Sequence, residues 1–200
     1  MKKYLPVEYD VSGRPAAIVG ADELVASKID RLLQAGAVVT VYACDAPPSA
    51  AVRARAVAIE PGAPEPSALS SAAVVFVSPA FADRVDFRPA RDAGRLWCTL
   101  DRPEQSTFVN PAVVDAQGIG LRFVTGGASP ALLRRLREDL EGLLSAPELT
   151  RFVDRLAGIR ATLPRGQRGD RMRAAVRGFA LKGQILFPRW FVEGTEPPGE

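Results

Sequence analysis

The stretch "AAIVGADELVASK", residues 16–28, constrains the fold more than any other part of the sequence. An unbroken apolar run ends at Gly20, which is typical of a buried strand that runs into a tight turn. Apolar residues then recur at helical spacing, and Gly36 marks the end of the predicted helix. The positions of that apolar face are Leu24, Val25, Ile29, Leu32 and Leu33. The segment therefore predicts a strand, a glycine turn and a helix, which is the opening unit of a parallel α/β sheet.

The same alternation continues along the first half of the chain. Apolar runs predict further strands over 37–43, 56–60, 72–79 and 95–101. Prolines predict a loop over 61–67, and a weak helix is expected over 81–93, where Pro89 interrupts it. Because these strands lack polar alternation, both faces of the sheet should be covered. The pattern predicts an α/β fold with a Rossmann-like, doubly wound parallel sheet.

The second half of the chain changes character. Two more strands are expected within 107–115 and 118–127, with a turn at Gln117-Gly118. A strong amphipathic helix is predicted over 129–144, where Ser129 can cap the helix and Pro130 suits its first position. The remainder reads as helical and basic, with an apolar end that we expect to pack in a helical subdomain or across a dimer interface.

Composition excludes several classes of chemistry. The chain has 200 residues, 47% hydrophobic and 24% charged, which is ordinary for a globular protein of one or two domains. No apolar run is long enough to span a bilayer, and the first ten residues do not read as a secretory signal, so the cytoplasm is the expected location. With no histidine present, Ser-His or Cys-His catalysis and histidine metal sites are excluded. Cys44 and Cys98 form no zinc pattern.

Basic residues are concentrated at the carboxyl end. From Arg151 onward the chain has ten Lys and Arg residues against five Asp and Glu residues. A solvated helix surface is the commoner reason for such a bias, and a site for a polycarboxylate or another polyanion is the alternative. Aromatic residues are not interleaved with the arginines, and no nucleic-acid-binding motif is present, so nucleic acid is not an expected partner.

Three blocks of the chain resemble the precorrin-2 dehydrogenase family, the NAD-dependent module of siroheme synthesis. The first runs from "YLPVEYD" through "IVGADELVASK" to "LLQAGAVVTVYA", within residues 4–43. The second is "LWCTLDRPEQSTFVNP", with Asp101, Thr107, Phe108 and Pro111 at matching positions. The third and most specific is "VTGGASPALLRRLR", residues 124–137. The resemblance covers residues 4 to 145.

The resemblance implies a function and an organisation. It implies oxidation of precorrin-2 to sirohydrochlorin with NAD by a homodimer, and some members of the family also insert ferrous iron. It implies an NAD-binding domain over 1–112, a dimerisation segment over 113–145 and a helical tail over 146–200. Because the substrate carries eight carboxylates, the resemblance also gives the arginine-rich end a purpose.

The resemblance also implies site residues. Asp101 stands at the position of the family's acid–base residue, although capping of the turn "DRPE" is the commoner role of such an aspartate. Thr125 and Ser129 are expected either to cap local structure or to bind a substrate carboxylate. No metal ligand is expected. Cofactor-binding residues are expected at Gly20, Ala21, Asp22, Glu23, Leu24, Ala43 and Ser78, and substrate-binding residues at Thr125, Gly126, Gly127, Ser129 and Arg134.

The glycine turn departs from the family pattern. The fingerprint Gly-x-Gly-x-x-Gly/Ala reads here as Gly20, Asp22 and Val25 at its three fixed positions. Asp22 places a negative charge where phosphates rest on a helix N-terminus, a repulsion on the order of a few kcal/mol or about a hundredfold in affinity. The same aspartate can cap the helix for about 1 kcal/mol. Besides the dehydrogenase, two functions stay open: a tetrapyrrole-binding relative that has lost NAD, and a chelatase that uses Asp101.

Overall fold

The computed structural model describes residues 4–44, 46–126, 129–194 and 196. The chain divides into two compact units. The first comprises Met1–Ala112 with Phe123–Ala128, and the second comprises Val113–Arg122 with Ser129–Glu200. The three-part division at residues 112 and 145 stays a prediction.

A five-stranded sheet forms the centre of the first unit. The strands lie in the order β3-β2-β1-β4-β5, and every neighbouring pair is parallel. Their bounds are β1 Pro15–Val19, β2 Val38–Tyr42, β3 Ala58–Glu60, β4 Val74–Val77 and β5 Leu96–Thr99. Since the order reverses direction beside β1, this is a doubly wound Rossmann-like sheet, and the predicted fold class is confirmed.

Both faces of the sheet are covered, as the apolar runs predicted. Ile18 belongs to a core cluster with Val25 and Ile29, whereas the next residue, Val19, belongs to a second cluster with Trp97. The switch between clusters follows from the alternation of side chains along a strand. The covering helices of this unit are α1 Glu23–Gln34, α2 Ala50–Arg53, α3 Pro66–Ser71 and α4 Arg88–Asp92.

Two elements with prolines were predicted with the wrong bounds. The helix expected over 81–93 is a 3₁₀ turn at Pro79–Phe81 followed by α4, which starts beside Pro89. The loop expected over 61–67 ends where α3 begins at Pro66. In both cases proline lies in the first turn of a helix, where its missing N–H has no intrahelical partner to lose.

The apolar face of α1 is narrower than its sequence predicted. Leu24 and Leu33 are exposed, although they were expected on that face. The buried positions are Val25, Ala26, Ile29 and Leu32. Leu24 lies in the first turn and Leu33 in the last, and both are rotated away from the sheet.

The described residues of the second unit include most of a two-stranded sheet and four α-helices. β6 Ala112–Ala116 pairs with β7 Ile119–Phe123 across Gln117 and Gly118, whose φ angles of 54° and 76° are those of a type I′ turn. This confirms the predicted pair of strands and its turn. The helices are α5 Pro130–Leu143, α6 Pro147–Thr162, α7 Arg168–Ala175 and α8 Arg189–Glu193. Within the described residues, none of the helices has the length and hydropathy needed to cross a membrane.

Candidate functional site

The residues that follow β1, β4 and β5 lie side by side at the carboxyl edge of the sheet. Backbone hydrogen bonds continue past the strand ends and hold this edge together. They run from Gly20 N–H to Tyr42 O (2.9 Å), from Ser78 N–H to Val19 O (2.8 Å) and from Leu100 N–H to Val77 O (2.9 Å). Because the strand order reverses between β1 and β4, this edge is the place where open α/β sheets bind ligands.

Gly20 is fixed by close packing as well as by its backbone angle. Its φ is 97°, a region that L side chains rarely adopt. A Cβ added there would lie 2.7 Å from the Ser78 Cβ and 2.9 Å from a ring carbon of Phe81. The turn therefore requires glycine on structural grounds alone.

Asp22 joins the start of α1 to the end of β4. It is the N-cap residue of the helix, and its Oδ1 accepts a hydrogen bond of 2.9 Å from the Leu24 N–H. The hydroxyl of Ser78, a fully buried residue, donates to the other carboxylate oxygen. The predicted capping role of Asp22 is confirmed. The carboxylate also occupies the place at the helix N-terminus where a dinucleotide fingerprint receives phosphate.

The other predicted cofactor residues lie at the same edge. Ala21 is buried, and its carbonyl accepts a hydrogen bond of 2.8 Å from the Ser49 N–H. Ala43 is buried beyond β2 and donates its N–H to Glu60 O at 2.9 Å. Glu23 and Leu24 are exposed in the first turn of α1. The backbone of the turn is suited to a dinucleotide. The negative charge of Asp22, however, would repel the phosphates of that dinucleotide.

Asp101 follows β5 at the same edge of the sheet. It is exposed, and its φ of 59° lies in the left-handed region, which aspartate tolerates better than most residues. Within the described part of the chain its carboxylate has no hydrogen bond and no ion pair. A free carboxylate at this position can accept a proton from a ligand.

Lys28 is a neighbour of Asp101 that our sequence reasoning did not assign to the site. It is half-buried on α1 and interacts electrostatically with Cys98 and Asp101. Burial lowers the pKa of the Lys28 ammonium, and the nearby charge of Arg31 lowers it further. Its spacing in the sequence could have indicated this position. Lys28 lies three residues after the buried Val25, which puts both residues on the same side of the helix.

Cys98 is buried on β5 beside Lys28. Burial raises the pKa of its thiol above the usual value, and a hydrogen bond with Ser106 opposes that shift. The Cys98 side chain is therefore a protonated, uncharged thiol at physiological pH. Among the residues that the structure describes, no group of three or more Cys, Asp or Glu side chains could hold a metal ion.

The predicted substrate residues fall on both sides of the division between the units. Thr125 and Gly126 belong to the first unit, and Gly126 has a φ of 65°. Ser129 and Arg134 belong to the second, where Ser129 caps α5 by accepting a hydrogen bond of 3.1 Å from the Leu132 N–H. Arg134 is exposed. Gly127 lies outside the described residues, and the substrate-binding role of all five stays a prediction.

The strand order and the glycine turn define a Rossmann-type α/β protein. The model of the family NAD_binding_7, described as "Putative NAD(P)-binding", matches residues 7–112. The chain belongs to this family. The predicted link to NAD is thereby confirmed at the level of the family.

Curated relatives and a solved structure agree with the predicted resemblance. Siroheme synthase 2 of Halorhodospira halophila is 31% identical over 152 residues, which are 70% of this chain and 30% of that protein. Siroheme synthase 1 of Pectobacterium atrosepticum is 33% identical over 147 residues, covering 72% and 31%. The chain thus spans about 30% of the length of these relatives. The structure of "SirC, precorrin-2 dehydrogenase" shares the fold, with a TM-score of 0.64, 18% identity and coverage of 88% and 90%.

Proposed function

We propose that the chain is an NAD-dependent precorrin-2 dehydrogenase of siroheme biosynthesis. The siroheme synthase relatives and the fold shared with a precorrin-2 dehydrogenase support this assignment. The observation that carries it is the placement of Asp101, an exposed carboxylate directly beyond β5 at the ligand edge of the sheet.

The reaction removes a hydride and a proton from precorrin-2. NAD, when bound, accepts the hydride. Asp101 accepts the proton that leaves the macrocycle as the new double bond forms, and then releases it to solvent through its exposed side. The chain has no histidine, and Asp101 is a carboxylate at this edge that has no hydrogen bond or ion pair among the described residues.

The turn between β1 and α1 would hold the dinucleotide. Gly20 and Ala21 would let the backbone approach the pyrophosphate, and Ala43 and Ser78, at the ends of the neighbouring strands, would help to hold the dinucleotide. Asp22 remains beside the phosphates as a like charge, so we expect NAD to bind weakly. The Ser78 hydroxyl is engaged by Asp22 and would bind the cofactor only after that hydrogen bond breaks.

The second unit would bind substrate carboxylates and a second copy of the chain. Arg134 and Ser129 of the second unit offer donors suited to carboxylates. α5 has no buried residue, and its exposed leucines make an apolar face that a partner copy would cover. We place the homodimer in the cytoplasm.

The test of the acid–base role is Asp101→Asn, which keeps the shape of the side chain and removes its basicity. We expect turnover of precorrin-2 to fall by about a hundredfold or more, with unchanged thermal stability and NAD affinity. Asp154→Asn is the matched control, since Asp154 is an exposed aspartate of the second unit. Full activity in Asp101→Asn contradicts the assignment.

A second candidate function is a tetrapyrrole-binding relative, or a chelatase, that no longer uses NAD. The observation that favours it is the Asp22 carboxylate, which is already bound by the Leu24 N–H and the Ser78 hydroxyl. This candidate predicts sirohydrochlorin binding without NADH formation, and no NAD binding up to about 1 mM, the upper end of ordinary KM values. Isothermal titration with NAD, run beside a precorrin-2 oxidation assay, separates the two functions.

A further inference from the structure

We propose that Lys28 is the anchor for an anionic group of the substrate beside Asp101, an inference that rests on the proposed function. Lys28 is half-buried on α1 and interacts electrostatically with Cys98 of β5 and with Asp101. Val25 and Ile29, which flank it on the helix, share a core cluster with Cys98. The ammonium reaches the carboxyl edge because side chains on a helix lean toward its N-terminus, and α1 begins at that edge.

Two basic side chains near Lys28 already make hydrogen bonds or ion pairs within the first unit. Arg31, one turn further along α1, donates to the Asn110 side chain at 3.2 Å and to Pro111 O at 3.1 Å. Arg55 forms a two-point ion pair with Asp30 at 2.5 and 2.7 Å. Within the described residues Lys28 makes no hydrogen bond and no ion pair. Partial burial of an ammonium without a partner is unfavourable, so such a group is suited to bind a ligand anion.

The charges around Lys28 favour an anion on its open side. Asp101 lies within electrostatic reach but forms no ion pair with Lys28, so the ammonium and the carboxylate stand apart at the same edge. Cys98, the third group of this cluster, is uncharged. A carboxylate of the substrate that binds Lys28 would hold the macrocycle at the edge, while Asp101 stays free to accept a proton.

The first test removes the charge and then restores it. In Lys28→Met we expect the KM for precorrin-2 to rise by about tenfold to a hundredfold, the effect of losing one charge-assisted hydrogen bond, while the KM for NAD is unchanged. Lys28→Arg should recover most of the loss. The control is Lys182→Met, an exposed lysine of the second unit, which should behave as the wild type. An unchanged KM for precorrin-2 in Lys28→Met overturns the anchor, as does a Lys28→Arg variant as impaired as Lys28→Met.

A second test uses the titration of the ammonium. Because the pKa of Lys28 lies below its usual value, the KM for precorrin-2 should rise with pH as Lys28 loses its proton. The rise should move to higher pH in Lys28→Arg, since arginine stays protonated. The groups that face Lys28 are Arg31, Cys98 and Asp101, of which Cys98 also titrates in the alkaline range. Cys98→Ala must therefore leave the rise in place. A rise that is the same in Lys28→Arg as in the wild type rejects the anchor.

Direct binding separates failure of the anchor from failure of the proposed function. Titration with sirohydrochlorin in the absence of NAD measures tetrapyrrole affinity without turnover. A wild type that binds sirohydrochlorin but does not oxidise precorrin-2 rejects the dehydrogenase, and weaker binding by Lys28→Met than by Lys182→Met still supports the anchor. A wild type that binds no tetrapyrrole rejects the anchor.

Discussion

Asp22 shows how one residue can serve the fold and oppose a ligand at the same time. As the N-cap of α1 it satisfies the Leu24 N–H, a contribution of about 1 kcal/mol, and it complements the helix dipole. It also accepts the hydroxyl of the fully buried Ser78, which would otherwise lack an acceptor in the core. These are the donors and the dipole that a bound phosphate would use.

We predict that Asp22→Asn and Asp22→Gly both bind NAD more tightly than the wild type, by about tenfold to a hundredfold. Asn keeps one oxygen to accept the Leu24 N–H and places an NH2 group, a donor, beside the Ser78 hydroxyl, whereas Gly removes the whole side chain. Asp22→Gly should therefore unfold at lower denaturant concentration than Asp22→Asn. Calorimetric titration with NAD measures the first effect and urea unfolding the second. Equal NAD affinity in all three proteins contradicts the charge argument.

Sequence reasoning was reliable where neighbours in the chain determine the structure. The glycine at residue 20 and the aspartate cap two positions later are local features, and both were predicted. The contact between Asp22 and Ser78 joins residues 56 positions apart, and nothing local encodes it. Lys28 was missed for a similar reason, since its neighbours Cys98 and Asp101 come from the far end of the sheet.

At the scale of elements, the buried strands were easier to predict than the short helices. β1, β4 and β5 are continuous apolar runs with few alternatives. α2 has only four residues and was not predicted, and α3 and α4 begin at prolines that read as breakers. Helices this short have little stability of their own and depend on packing against the sheet, which the local sequence does not report.

α5 carries a prediction about assembly. Leu132, Leu136 and Leu143 are exposed by 39% or more on a helix with no buried residue. Leu136→Lys should convert a dimer to a monomer, because a charge would be buried in the interface. Glu138→Lys, a charge change on the opposite side of the same helix, is the control and should leave the dimer intact. Light scattering after gel filtration measures the mass, and a dimer in Leu136→Lys contradicts this role for α5.

At the scale of the whole molecule, the family assignment depends on the first unit, which contains the matching residues 7–112. The role of the second unit is less well defined by its sequence. The parallel sheet of residues 1–112 could be predicted from periodicity and a glycine turn. The basic end could not be assigned a role, and part of it is ordinary surface. Arg151 pairs with Glu148 and Arg173 with Asp170, both between exposed side chains one helical turn apart. Such pairs contribute little to stability, so these arginines fit the commoner interpretation of a solvated helix.

We propose that this chain oxidises precorrin-2 with NAD, despite the Asp22 carboxylate in its glycine turn. The most direct measurement is an anaerobic incubation of the wild-type protein with precorrin-2 and NAD, in which NADH and sirohydrochlorin are both quantified. We predict that the two products appear together in equal amounts and that both form about a hundredfold or more slowly in Asp101→Asn. Tight binding of sirohydrochlorin with no NADH, at saturating NAD, would contradict the dehydrogenase assignment and favour a relative that kept the fold without the cofactor.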